Sequence, residues 1–442
     1  MYTFPNRLCI ATLLVLLTIA GCSKSKHDKT PFEIENGKRA GTEHVAIQKT
    51  LPLRQSANHQ PELLKASSEG LKPSGLMFTC PPEQVGQIQR DMEIYFRELG
   101  IDNSLISRVE PADGKVIYTL ATPESDTDTL SFKNRKQYHI KDEIVILPAR
   151  GDRNQSVRTV SKKEILLSLL QHGRLTEFSG TACSVEALRD HVGVRQNIIA
   201  WIEKVSWQWP DGGPAFWNKK YWGKGTPLAS VSLDNALLDA FMNQKLYGIG
   251  CYTATKLSYA HGVLDYYTRV KKDKIKADLI RERLLQDKDP LVGIEASAMW
   301  SFERDFDPAE GNIPGKILTI KRGIASNNFI PGDWAYLLNT DAMTYEKPGY
   351  EGSNAVYLGR GRFDDYFNDN NHHYTYREKV DEVYQWRNGV FSRSRDYQKI
   401  KRLSDEDFVR LSKTPQEGGL LEDFRVTPYF FGYENLPKLP TR

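Results

Sequence analysis

Cys251 is the residue best placed for chemistry. It follows Tyr247-Gly248-Ile249-Gly250 and precedes Tyr252-Thr253-Ala254-Thr255-Lys256. Two glycines in three residues interrupt any preceding helix, because glycine reaches backbone geometry closed to other residues. After the break, Ala254, Leu257, Ala260, Leu264 and Tyr267 recur at helical spacing. Cys251 is therefore expected at a helix N-terminus. The first N–H groups of a helix have no acceptor within it and carry the positive end of the macrodipole. A thiol placed there ionises more readily, and the same N–H groups can receive a developing oxyanion. The pattern points to a nucleophilic thiol, against the plainer reading of an inert, buried cysteine.

A cysteine nucleophile needs a base, most often histidine. Of nine histidines, His27, His44 and His59 lie in a polar N-terminal stretch, and His139, His172 and His191 precede the Cys251 region. His261 is ten residues along the same helix, about 15 Å away at ~1.5 Å per residue, and out of reach. His372 and His373 remain, in Asn368-Asp369-Asn370-Asn371-His372-His373-Tyr374-Thr375. They stand just before Thr375-Tyr376-Arg377-Glu378, which fits a helix-opening capping box. Strand candidates at Trp334–Leu338, Asn354–Leu358 and Phe363–Phe367 come ahead of them. A histidine on the loop leaving such a sheet can face a cysteine on a central helix; the bland alternative is a solvated polar loop. No third ligand stands at metal-site spacing, so neither a metal nor a cofactor is expected.

Composition narrows the class. Forty per cent hydrophobic and 26% charged residues describe a globular chain, and a formal charge of +4 over 442 residues points to no nucleic acid and no polybasic membrane patch. The N-terminus reads as an address. Arg7 precedes an apolar run from Leu8 to Ala20, too short to span a bilayer comfortably. Ile19-Ala20-Gly21-Cys22 resembles the bacterial lipobox, whose cysteine is acylated and becomes the mature N-terminus. Ser23, not Asp, follows it, which by that resemblance favours the outer membrane, facing the periplasm or the cell surface. Cys9 then leaves with the signal and Cys22 carries lipid. In an oxidising compartment surplus thiols tend to pair. Cys80 and Cys183, both in the N-terminal half, are expected to pair, which leaves the Cys251 thiol over.

Four segments follow: a signal at 1–21, a polar tether at 22–75 with little to bury, an α+β region at 76–205, and a second region at 206–442. In the first folded region, Pro81-Pro82-Glu83 opens a helix closed by Gly100. Val116–Leu120 and Ile144–Leu147 alternate as strands, Lys162–Gln171 is helical, and Ser184 caps an amphipathic helix to Ile202. Its role is open among pro-region, substrate docking and plain support. The second region begins aromatic-rich, at Trp207, Trp209, Phe216, Trp217, Tyr221 and Trp222. Such clusters pack cores more often than they wall clefts. Asn235–Leu246 reads as a short helix.

Three segments carry a family resemblance. Leu246 to Ala254 resembles the cysteine segment of bacterial spore-coat transglutaminases, Phe329 to Asn339 is similar to their Gly-Asp strand, and Tyr350 to Gly359 is similar to the strand that follows. The resemblance implies an α+β, papain-like cysteine transferase domain, with the Cys-bearing helix packed on a small antiparallel sheet. It implies attack of Cys251 on a glutamine carboxamide and transfer of the acyl group to a lysine amine or water, on protein substrates with accessible Gln and Lys. The family's histidine maps onto the His372-His373 pair, His373 preferred. Asn354 would orient that histidine or lie by the oxyanion, and Asp333 would cap its strand. The family has a Glu before this Asn, where the chain has Ser353, with Glu351 as a substitute only if the backbone shifts. It also has an acidic residue before the Cys, where the chain has Gly250. Trp217, Trp222, Tyr247 and Trp334 would form a water-excluding slot. The competing reading is a papain-like cysteine peptidase of peptidoglycan stem peptides, against which Asn354 counts, since such enzymes usually place histidine there. A third is a scaffold with a decayed site.

Overall fold

Alternation and capping account for most elements of the computed structural model. It describes residues 74–286 and 318–428, apart from 113, 131–134, 150–153, 211–212, 224–225, 323–325, 342, 346, 348, 369–372, 392–397, 399 and 415–416. The signal, Cys22, nearly all of the tether and His372 lie outside the described residues.

The first sheet has the order β2-β3-β1-β6, formed by β1 (Gly75–Thr79), β2 (Ile106–Val109), β3 (Lys115–Leu120) and β6 (Leu175–Ser179). Strands β1 and β6 run parallel and the other pairs antiparallel. Helix α1 (Pro82–Glu98) has proline in its first turn and buries Ile88, Met92, Tyr95 and Phe96. Strands β4 (Glu143–Leu147) and β5 (Gln155–Thr159) form a hairpin before α2 (Lys162–Leu169). Helix α3 (Val185–Ile202) opens where Ser184 accepts the Ala187 N–H. Cys80 and Cys183 are joined, with Cα atoms 5.6 Å apart.

The expected amphipathic α3 is instead buried nearly all round, Asp190, His191, Arg195, Gln196 and Asn197 included. Buried polar groups persist only when partnered, and here the partners come from distant segments. Asn197 Nδ2, for instance, donates to the Gly262 carbonyl at 2.8 Å. Gly262 permits that approach, since a Cβ there would stand 2.5 Å from Ile198 Cγ1.

A short ribbon, β7 (Trp222–Gly223) with β8 (Thr226–Pro227), leads to α4 (Leu233–Met242), capped by Ser232. Helix α5 (Cys251–Asp265) runs on through a π turn, Tyr266–Val270, to α6 (Lys274–Gln286). The second sheet is antiparallel throughout, in the order β12-β11-β10-β13-β9. Its strands are β9 (Leu318–Arg322), β10 (Trp334–Leu338), β11 (Gly352–Gly359), β12 (Arg362–Asp364) and β13 (Leu421–Pro428). Helices α7 (Tyr376–Arg387) and α8 (Asp405–Leu411) complete the described chain, α7 opening on the Thr375–Glu378 capping box.

This sheet separates two cores. Trp334, Val356 and Leu358 face one with the apolar residues of α5, while Ala335, Leu337, Ala355 and Tyr357 face the other with Val380, Val383 and Trp386 of α7. Strand β11 is buried along its whole length, as expected when both faces are covered. The first of these cores runs without a break from Leu76 through Val205 and Trp207 to Phe367.

Candidate active site

Cys251 is the first residue of α5, after an extended Gly250 (φ −71, ψ 162). The approach is held like a strand. Ile249 donates to the Gln208 carbonyl at 3.2 Å, and Phe216 and Gly248 exchange bonds of 2.8 and 3.0 Å. Glycine at 248 leaves room for the Phe216 ring, since a Cβ would fall 2.1 Å from Phe216 Cε1 and the ring would have to move. The two-glycine turn thus threads the Cys251 segment between two neighbouring backbones and delivers it to the helix start.

Asn354 Nδ2 donates to Cys251 Sγ at 3.3 Å, and Asn354 Oδ1 accepts from the buried Trp334 indole at 2.8 Å. An indole N–H can only donate, so it fixes the carbonyl edge of the amide and leaves the N–H edge for sulfur. The geometry therefore assigns Asn354 to the thiol itself rather than to a histidine. The Lys256 ammonium lies 3.9 Å over the Tyr252 ring, bringing positive charge to the first turn of α5.

The face of the sheet decides the other candidates. Ser353 points to the opposite core, its Oγ 3.4 Å from Glu382. Glu351 turns back to accept the Gly349 N–H at 3.1 Å, and burial raises its carboxyl to about 7. His373 is on the Glu203 carboxylate, Nε2 to Oε2 3.5 Å, and remains 38% exposed. Burial raises the Glu203 carboxyl despite Arg360 beside it. Cys251 and Asn354 are thus brought into contact, Glu351 is engaged at its own turn, and His373 is backed by a carboxylate.

The aromatic slot needs correction. Trp222, Tyr247 and Trp334 are core residues, because each polar tip has an internal partner: the Ala236 carbonyl, Asp239 and Asn354. Only Trp217 is partly exposed, packed 5.0 Å from Trp222. Phe216, beside Gly248, is 43% exposed. His261 is wedged between Trp201 and Phe241, where burial lowers its pKa to about 4.

Asp333 proves to be more than a strand cap. It is fully buried between Arg174 and Arg195, the latter 3.0 Å away, and accepts the Ile330 N–H at 3.0 Å. Burial alone would push its carboxyl up, but the two guanidiniums overturn this and hold it well below the usual range. The Gly332-Asp333 turn is thereby bolted to α3 and to the segment before β6. Tyr366, which sequence reading passed over, also stands at the site: its hydroxyl is 2.7 Å from Thr255 Oγ1, one turn along α5. Among the described residues there is no group of three or more His, Cys, Asp or Glu that could hold a metal, and no helix long and apolar enough to cross a membrane.

Residues 151–387, more than half of the chain, match the protein-glutamine gamma-glutamyltransferase family. The chain belongs to this family. A protein-glutamine gamma-glutamyltransferase of Bacillus mycoides (strain KBAB4) is 26% identical over 148 residues, 33% of this chain and 42% of that protein. The match therefore spans under half the length of the curated relative. The structure of the transglutaminase from Geobacillus stearothermophilus, without its C-terminal extension, aligns over 57% of this chain and 98% of that one, with a TM-score of 0.33 and 18% identity. The family match begins before β5 and takes in α2, β6 and α3, so it crosses residue 205, where the sequence reading divides the two folded regions.

Proposed function

We propose that this chain is a protein-glutamine gamma-glutamyltransferase with Cys251 as its nucleophile. The observation that carries the reading is the Asn354 amide 3.3 Å from the Cys251 sulfur, at the N-terminus of α5. A donor fixed at that distance favours the thiolate over the thiol, and the helix start adds its dipole. The thiolate attacks the glutamine carbonyl carbon. The C–N bond then breaks, the nitrogen takes a proton and leaves as ammonia, and the acyl group stays on sulfur as a thioester. A lysine amine, or water, attacks next; the C–S bond breaks and the thiolate is restored. His373, with Glu203 behind its ring, is the proposed proton carrier, following the logic of a base oriented by a third group. Transfer in place of hydrolysis needs water kept from the thioester, a role for Phe216 and Trp217.

The proposed substrates are proteins with accessible Gln and Lys. Residues 206–442 carry the papain-like catalytic part, with 76–205 as a preceding α+β part. Acylation of Cys22 holds the protein at the outer membrane by multiple chains, on a tether that lets it reach substrates.

The test sets labelled-amine incorporation into a Gln-bearing protein beside muropeptide cleavage. Incorporation by wild type and its loss in Cys251→Ala is the expected result. Cleavage of muropeptides in place of incorporation would move the reading to a cell-wall peptidase, and indifference of both to Cys251→Ala would remove the nucleophile.

A further inference from the structure

Lys379 of α7 is completely buried, a rare place for a lysine, and it meets the carboxylates of Asp365 and Glu382 there. Asp365 Oδ2 is 3.2 Å from Nζ, and Glu382, three residues along α7, is in direct contact through Oε2. These carboxylates are buried too, Asp365 to 1% and Glu382 to 5% exposure. The surroundings are largely apolar. The Tyr374 ring lies 4.7 Å from Nζ, and Tyr376, Val380 and Val383 of the same helix belong to the second core. The chemistry proposed at Cys251 uses none of the three charged groups.

The amine and the carboxyl are held by fixed backbone. Phe363 and Tyr374 exchange N–H to carbonyl bonds of 2.7 and 2.9 Å, tying the chain at β12 to the chain entering α7. The capping box of Thr375 and Glu378 then sets the first turn of α7, and the Lys379 N–H donates to the Thr375 carbonyl at 3.1 Å. Asp365 and Lys379 thus meet from two anchored segments. Groups held in a near-attack geometry react as if at about 10⁵–10⁸ M. In water an amine and a carboxyl remain an ion pair, because an ammonium has no lone pair to give and a carboxylate resists attack. Burial changes the balance. Two ions taken out of water recover that cost only in part by attracting each other, whereas an amide and a water molecule carry no charge.

We propose that Lys379 and Asp365 join in an internal isopeptide bond once the chain has folded, with Glu382 as the proton carrier. Glu382 passes two protons in turn from the Lys379 nitrogen to Asp365 oxygen, as a general acid–base group in contact with the amine. After the first transfer the neutral amine attacks Asp365 Cγ. With the second, the Cγ–O bond breaks and the oxygen leaves as water. A C–N bond replaces a C–O bond, Glu382 ends as the carboxylate it began as, and neither an oxidant nor a thiol takes part. The bond closes a covalent ring from Asp365 to Lys379, and His373 lies within that ring. The loop that carries His373 is thereby fixed at both ends. This bond does not depend on the reading of Cys251.

The experiment is peptide mass spectrometry of the full chain, reduced, denatured and digested by a protease that cuts after lysine. Between Lys347 and Lys399 the sequence holds one lysine, Lys379. An unlinked Lys379 gives two peptides, 348–379 and 380–399, at full mass. The isopeptide bond blocks that cut and leaves 348–399 in one piece, lighter than its sequence by one water. A succinimide at Asp365 also sheds a water but leaves Lys379 open to cleavage. Wild type and Cys251→Ala are both expected to give the single light peptide. Glu382→Gln, which keeps the shape and loses the proton carrier, is expected to give the two full-mass peptides. Full-mass cleavage at Lys379 in wild type overturns the proposal whatever the stability of the variants. Loss of the bond in Cys251→Ala, or its persistence in Glu382→Gln, overturns it as well.

Discussion

Replacing Asn354 by aspartate tests the site with almost no change of shape. Trp334 Nε1 still finds an oxygen where Asn354 Oδ1 was, 2.8 Å away, so the second oxygen must take the place of Nδ2, 3.3 Å from sulfur. A donor becomes a negative charge. Two unit charges about 3.3 Å apart repel by about 5 kcal/mol at an effective dielectric of ~20. Cys251 is partly exposed, and screening reduces this to about 2 kcal/mol. The lost charge-assisted hydrogen bond adds about 1.5 kcal/mol. At about 1.4 kcal/mol per pH unit, the midpoint of Cys251 alkylation is expected to rise by about 2.5 units. Asn354→Ala loses only the bond and is expected to rise by about 1 unit. Trp334→Phe frees the amide to rotate and falls between wild type and alanine. The assay is the pH dependence of iodoacetamide alkylation, resolved by peptide mass spectrometry so that Cys9 and Cys22 do not contribute. An aspartate midpoint within about 0.3 units of wild type, well inside the effect calculated from a direct contact, would refute the account of how the thiol is activated.

Two further outcomes follow from buried charge. Asp333→Asn leaves Arg174 and Arg195 facing each other without their counter-charge and is expected to cost about 3–5 kcal/mol in urea denaturation. The Glu351 carboxyl, raised by burial to about 7, keeps a proton that the unfolded chain, with an ordinary carboxyl near ~4.3, has already released. Its contribution to stability is therefore complete below about pH 4 and is lost as pH rises through about 7. Glu351→Gln should remove that slope, so that at pH 8 the variant is more stable than wild type by about 1–3 kcal/mol while the two agree at pH 4.

Local grammar was legible where the physics is local. The glycine break and the apolar spacing placed Cys251 at the start of α5, and Thr375 with Glu378 opened α7 as their types require. The strand candidates Trp334–Leu338 and Asn354–Leu358 fall on β10 and β11. The third expected strand, Phe363–Phe367, ends early because the Asp364 carboxylate captures the Tyr366 N–H. An Asp two residues before the turn was the available signal, and strand periodicity outvoted it. The helix expected over Asn235–Leu246 spans Leu233–Met242 instead, where Asn243 leaves helical geometry and binds back to Asp239. Three of the four aromatic residues expected to line a slot are core, since a Trp or Tyr whose polar tip finds an internal partner loses little by burial.

Sequence alone determined which residue carries the thiol, that a helix begins there, and to which family the chain belongs, because backbone breaks, capping and hydrophobic period act over a few residues. Only the tertiary structure decided what meets that thiol. Asn354 is 103 residues from Cys251 and Tyr366 is 111 from Thr255. Arg174 and Arg195 reach Asp333 across 159 and 138 residues. Such pairings leave no periodic trace in a chain, because hydrogen bonds and charges answer to distance in space, and that distance is set by how two cores close around one sheet.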